Sequence, residues 1–282
     1  MNIGLVMPLP PPPPTVAVDP AFLAREAERL GFESFWATQH IVAPVHVESI
    51  SRVFADGQVP GFTDPLIALA RASAVTSTIK LGTSVLLVPE HHPVMLAKQV
   101  ATLDWYSNGR FIMGVGAGWL KEEAEIMGAD FEHRWTQARE AVQVMKALWT
   151  NDIAEHHGHY YELPPVRLFP KPAQRPHPPI FLGGQAKNVL KRVVAWGDGW
   201  QPSFVTPEQV KEGRATLDSL AAEAGRDPAS LHIAAYSDRP ERARIDEYFD
   251  AGAIRVMVRL PTVTNEREAG EELERLAEEA LR

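Results

Sequence analysis

His40 is the first residue along the chain whose type and position could do acid–base chemistry. It follows a short aromatic run, Ser34 to Thr38, with Gln39 directly before it. An imidazole at the C-terminal end of a strand can donate a hydrogen bond or move a proton near neutral pH. The competing reading is a rim residue with structural bonds only. Two glycine-bearing segments could approach a ligand. Gly114-Val115-Gly116-Ala117-Gly118 ends a predicted strand and precedes Trp119. Glycines there admit close approach to the backbone and leave amides open, although a tight strand-to-helix turn would use the same residues. The spacing is G-x-G-x-G, not the G-x-G-x-x-G of an N-terminal dinucleotide unit. Gly183-Gly184, followed by Gln185, lies between an apolar strand and a predicted helix. Unpaired amides and the helix dipole suit a phosphate there, and a plain connecting turn is the alternative.

Other reactive types are placed less favourably. His91-His92 and the group His156, His157 and His159 lack a recognisable ligand spacing and read as solvated loop histidines. Glu122, Glu123 and Glu125 fall on a short helix and read as surface or structural charges. The charged run Glu266 to Arg282 reads as the solvated face of an amphipathic helix. No Gly-x-Ser-x-Gly elbow and no P-loop occurs. Cysteine is absent, which excludes disulfides, thiolate metal sites and cysteine nucleophiles. A net charge of −8 argues against nucleic acid or an anionic membrane as the main partner. It leaves room for a small anionic ligand gripped by a local set of donors. No run approaches the ~20 apolar residues of a membrane span. The apolar start Met1 to Met7 has no basic leader and is stopped by Pro8, so a cytoplasmic protein with a small-molecule substrate is expected.

The elements that must position these residues alternate. Strands are predicted at Ile3–Met7, Ser34–Thr38, Lys80–Val88, Arg110–Val115, Pro179–Leu182, Trp200–Ser203, Leu231–Ser237 and Ile254–Leu260. Helices open at Asp19-Pro20, Asp64-Pro65, Pro93, Arg134, Lys187, Thr206-Pro207, ahead of Arg244, and at Asn265. Eight strands alternating with eight helices in one domain, residues 1–282, favour an α/β fold closed as a (β/α)8 TIM barrel. An open doubly wound sheet alternates in the same way. In a barrel the C-terminal strand ends form the ligand mouth. Those ends carry Pro8, Gln39-His40, Ser84-Val85, Gly114 to Gly118, Gly183-Gly184-Gln185, Ser203, Ser237-Asp238 and Pro261-Thr262. Two segments interrupt the alternation. Pro8 to Pro14 predicts a stiff polyproline II loop. Asn151 to Pro178 predicts a hairpin and loop inserted between the fourth long helix and the fifth strand.

Several runs together resemble the luciferase-like monooxygenase superfamily. They are Ala27-Glu28 with Leu30 to Ser34, Trp36 and His40; Leu81 to Val85; Pro93 with Ala97-Lys98, Ala101 to Asp104 and Ser107 to Arg110; Gly114 to Trp119; Pro170 to Pro172 with Gln174; Pro178 to Ile180 with Gly183-Gly184; and Ala195 to Trp200. The chain is most similar to the branch that depends on coenzyme F420, a deazaflavin, and the FMN branch shares most of these runs. The resemblance implies a bacterial-luciferase-like barrel with the tricyclic ring over the third and fourth strands and a non-proline cis peptide at Ser84-Val85. It implies cofactor contacts from Gln39, His40, Ser84, Val85, Gly116, Ala117, Gly118, Gly183, Gly184, Gln185 and Ser203. His40 becomes the candidate catalytic residue, with Trp36, Trp119 and Trp200 as candidate cavity walls and core packing as the equal alternative for Trp36, and homodimers are common in such families. Two positions depart from the pattern. Gln39 stands where some deazaflavin enzymes carry aspartate, and Trp119 stands where the sugar-phosphate dehydrogenases carry a catalytic glutamate, which speaks against a sugar-phosphate substrate. The implied chemistry is hydride transfer between the deazaflavin and an organic substrate. The alternatives are a monooxygenase using reduced FMN and dioxygen, and a non-catalytic flavin carrier.

Overall fold

The computed structural model describes residues 1–9, 18–45 and 60–282. In chain order its elements are β1 (Ile3–Val6), α1 (Pro20–Leu30), β2 (Ser34–Ala37), α2 (Pro65–Ser73), β3 (Lys80–Thr83), β4 (Leu86–Leu87), α3 (Pro93–Tyr106), β5 (Phe111–Gly116), α4 (Lys121–Ile126), α5 (Arg134–Thr150), β6 (Ala154–His157), β7 (Glu162–Val166), β8 (Ile180–Gly183), α6 (Val189–Trp196), β9 (Gly199–Gln201), α7 (Pro207–Glu223), β10 (His232–Tyr236), α8 (Arg242–Asp250), β11 (Arg255–Arg259) and α9 (Glu266–Leu281). Short 3-10 turns sit at Val88–Glu90 and Pro228–Ser230. The expected helix starts hold to within two residues, the one at Lys187 moving to Val189. Asp19 accepts from the Ala21 amide at 2.9 Å, Asp64 from the Ile67 amide at 2.9 Å, and Thr206 forms a reciprocal capping box with Gln209, each with proline in the first turn.

The strands pair in parallel in the order β3-β2-β1-β11-β10-β9-β8-β5, and a β3–β5 ladder closes the ring. The sheet is therefore a closed barrel, and the open doubly wound alternative is excluded. The expected third strand is broken. β3 pairs with β2 and β5, the chain passes through a cis Ser84–Val85 bond, and β4 resumes against Leu86↔Val115 and Leu87↔Gly116. The expected insertion between the fourth long helix, α5, and the fifth barrel strand, β8, is the antiparallel hairpin β6–β7. Glu140 of α5 pins it by accepting the amides of His159, Tyr160 and Tyr161 at 3.1, 2.8 and 2.7 Å. Of the Pro8–Pro14 run, Pro10 to Pro14 lie outside the described residues.

Two of the three candidate cavity-wall tryptophans are packing residues: for Trp36 the core-packing alternative holds, and the wall reading of Trp200 is corrected. Trp36 is fully buried inside the ring with Val6, Ile112, Phe181, Ala234 and Met257, and its indole N–H donates to Ser34 Oγ at 2.8 Å. Gly82 and Gly4 make room for it, since a Cβ at Gly82 would lie 2.2 Å from Trp36 Cε3. Trp200 faces outward, stacks over Gly213 of α7, and donates to the Gly184 carbonyl at 2.8 Å. A large ring inside a closed sheet needs strand positions without side chains, and an outward one needs a gap in the covering helix.

Candidate active site at the barrel mouth

His40 leaves β2 at the C-terminal rim with its side chain 11% exposed. Its Nδ1 lies 2.6 Å from Glu123 Oε2, and the other oxygen of Glu123 accepts the amides of Ile41 and Val42 at 2.5 and 3.1 Å. Glu123 is in the first turn of α4 and its side chain is 1% exposed. This corrects its reading as a surface charge. Three donors at one carboxylate satisfy a buried anion, and the geometry fixes the imidazole ring. Phe62 and Trp119 meet the His40 ring edge-on, at 4.9 and 5.6 Å between centroids. Trp119 is thus the one expected wall residue that stands at the site.

Gln39 is buried and joins β2 to the second half of the third strand. Its Oε1 accepts the Leu87 amide at 2.8 Å, and its Nε2 lies 2.9 Å from His91 Nε2. Burial pushes His91 below the usual imidazole range, so it is neutral near pH 7. This corrects its reading as a solvated loop histidine. The inserted hairpin's histidines differ among themselves: His156 lies 3.5 Å from Glu140, whereas His157 pairs with Glu162 at an exposed position. Among the described residues, no three His, Asp or Glu side chains are grouped to hold a metal ion.

Glu90 completes the group. It closes the 3-10 turn after β4 and is 3% exposed, and neither carboxyl oxygen has a hydrogen-bond partner among the described residues. Burial, followed by the nearby charge of Glu123, pushes its pKa up to about 8. Its Oε1 lies 2.9 Å from where a Cβ on Gly118 would stand, and Gly118 has φ +81. That glycine is required both by conformation and by the carboxyl beside it. Ala117, next to it, is buried.

Ser84, Val85, Gly116 and Gly183 come together on the inner rim. Val85 fills the space that side chains at the two glycines would need. A Cβ on Gly116 would lie 2.4 Å from Val85 Cγ2, and one on Gly183 would lie 2.7 Å from Val85 Cγ1. Ser84 Oγ is hydrogen-bonded to the Tyr236 hydroxyl and accepts from Gln201 Nε2 at 3.1 Å. Gln201 Oε1 is buried without a partner. Gly184 has φ +83 and open space where a side chain would be. Its amide is committed to the Gln201 carbonyl at 3.2 Å, and α6 begins only at Val189, after a left-handed Asn188. The helix expected to open at Lys187 opens at Val189, with four residues between its start and Gly184. Gln185 and Ser203 do meet, through a 2.6 Å bond from Gln185 Nε2 to the Ser203 carbonyl. An apolar shelf at Val85 flanked by glycines, with an unfilled cradle and polar edges at Gly184 and Gln185, fits a flat redox ring with a polar tail.

Sequence reasoning missed Glu90, Tyr236 and Gln201, and it misread Glu123. A usable signal existed for Glu90, a lone acid ending the apolar run Leu86 to Pro89. Tyr236 and Gln201 end strands β10 and β9 facing the third strand, which only the ring closure reveals.

The sequence profile of luciferase-like monooxygenases matches residues 15–279. An uncharacterized protein of Mycobacterium tuberculosis is 36% identical over 269 residues, which cover 92% of this chain and 93% of that protein. An FMNH2-dependent dimethylsulfone monooxygenase of Pseudomonas putida is 31% identical, covering 75% of this chain and 54% of its own. Among solved structures, an F420-dependent secondary alcohol dehydrogenase superposes with a TM-score of 0.78 at 20% identity, covering 100% of this chain and 99% of that one. No described helix is long and apolar enough to cross a membrane. On the length of the profile match and the identity to these relatives, the chain belongs to the luciferase-like monooxygenase family.

Proposed function

We propose that the chain is a coenzyme F420-dependent oxidoreductase that passes a hydride between the deazaflavin and a small organic substrate, with His40 handling the accompanying proton. The observation that carries this reading is the His40–Glu123 pair at the barrel mouth. A carboxylate on Nδ1 fixes the ring's orientation and leaves Nε2 as the nitrogen available for proton transfer. When bound, the coenzyme supplies the hydride chemistry. The chain's own groups bind and orient. Val85 between Gly116 and Gly183 offers a contact surface for the ring, with Ser84 held behind it. Gly184, Gln185 and Ser203 offer space and polar atoms to the tail, and Ala117-Gly118 line the adjacent loop. Trp119 and Phe62 keep water from His40. Gln39 holds the strand ends in register. A homodimer belongs to the same proposal through the family resemblance.

A second reading is favoured by the dimethylsulfone monooxygenase relative: a monooxygenase using reduced FMN and dioxygen on the same site. The two separate in one experiment. The protein is mixed with each coenzyme, freed of unbound ligand, and its absorption spectrum recorded; oxygen uptake is then followed with the reduced form. Retention of F420 without oxygen consumption is the expected result. Retention of FMN with oxygen uptake supports the second reading. Tight retention without turnover across a panel of electron acceptors marks a carrier. Loss of both coenzymes on desalting overturns the proposal.

A further inference from the structure

We propose that Glu90 is a positioning residue for His40: it stands as the uncharged member of a carboxyl pair whose charged member, Glu123, is bound to the imidazole. The geometry carries this. Glu90 is 3% exposed, and both oxygens lack a hydrogen-bond partner among the described residues. An ionised carboxylate left in that state is far costlier than a protonated one. Glu123 presents the opposite case, since three donors converge on it. One carboxyl of the pair is therefore built to be an anion and the other to stay neutral, the usual outcome when two acids share a site.

The neighbouring charged groups leave that division intact. From α4, Glu123 is bound to His40, and Glu122, beside it in the first turn, is an acid and supplies no cation. From α5, which packs against the turn, Arg134 spends its guanidinium on the carbonyls of Gly118 and Phe131 at 3.0 and 2.7 Å, and Glu140 is bound to the hairpin amides. Next in the chain, His91 is tied to Gln39 and His92 stands edge-on to Tyr161. Among the described residues no cation is paired with Glu90, which agrees with a pKa pushed up to about 8 by burial and by Glu123. Above that pH a second charge appears beside Glu123 and alters the field at His40.

The inference gives mechanistic meaning to His40 only within the proposed function, but its test needs neither coenzyme nor substrate. Ring resonances of isotope-labelled histidine are followed by NMR from pH 5 to 10, with His40 assigned by its loss in His40→Gln. In the native protein the His40 signals show an inflection near pH 8 that is missing in Glu90→Gln, while the rest of the curve is kept. A matching glutamate carboxyl carbon titrating near pH 8 in the native protein gives the same answer should Glu90→Gln fold poorly. Persistence of the inflection in Glu90→Gln, or the absence of any carboxyl titrating above about pH 6 in the native protein, overturns the assignment. Failure to bind a coenzyme leaves this result untouched, so the two proposals fail separately.

Discussion

At the residue scale, the chemistry turns on which groups around His40 hold protons. His40→Gln removes the imidazole and keeps a polar side chain of similar reach. Turnover with an accepted substrate is expected to fall roughly 10²–10⁴-fold, the usual worth of a positioned acid or base, with coenzyme affinity little changed. A change in affinity without a change in rate would make His40 a binding residue. Glu90 gives a stability prediction of defined sign. Its folded pKa, about 8, lies above the 4.5 of an unperturbed glutamate, so between these values the folded state binds more protons than the unfolded one. The contribution of this group to stability is therefore greatest at and below pH 4.5, declines as the pH rises through the window, and levels off above about 8. Thermal unfolding midpoints at pH 5.5 and 8 measure it. The drop between them should be smaller in Glu90→Gln than in the native chain, and an equal drop would assign the pH dependence elsewhere.

At the element scale, the broken third strand organises the mouth. Val85 is seated where Gly116 of β5 and Gly183 of β8 have no side chain, so three adjacent barrel strands lock through one methyl-bearing residue. Gly116→Ala forces a Cβ to within 2.4 Å of Val85 Cγ2. It should cost about 1–3 kcal/mol of stability, the range for overpacking a tight site. Adding Val85→Ala should relieve it, with a coupling of about 1–2 kcal/mol in a double-mutant cycle read from denaturant unfolding. Additive effects would show that the glycine is needed for backbone conformation instead. The same packing bears on sequence reading. Gly116 and Gly183 were legible as special positions, but as places where a ligand approaches; the nearest group filling the space is the protein's own valine. Gly184 differs, since among the described residues nothing occupies the place of its side chain.

At the scale of the whole molecule, closure of the ring brings residues distant in sequence to one rim. His40 and Glu123 are separated by 83 positions, and Ser84 and Tyr236 by 152. A ligand gripped at that rim binds only the folded state, so the coenzyme that the protein uses should raise its unfolding temperature. The gain approaches about 2.7 kcal/mol at a ligand concentration 100 times its dissociation constant. Differential scanning fluorimetry with F420 and FMN side by side reads it. Equal shifts, or none with either, would count against a selective site.

Local sequence carried the architecture because each element announces itself. Aspartate-proline and threonine-proline pairs start helices, Gly31 stops one in the left-handed conformation, and short apolar runs between them have no option but burial in strands. The order of these signals determined the alternation, and the end of β2 determined that His40 stands on the rim. Tertiary structure alone decided which charge is an anion. Glu122, Glu123 and Glu125 are chemically alike along the chain, and only the return of Ile41, Val42 and His40 against α4 gives Glu123 three donors, while Glu90 a few ångströms from Gly118 receives none. Helix and strand propensities depend on near neighbours, but the protonation state of a buried acid depends on groups that the fold brings from elsewhere.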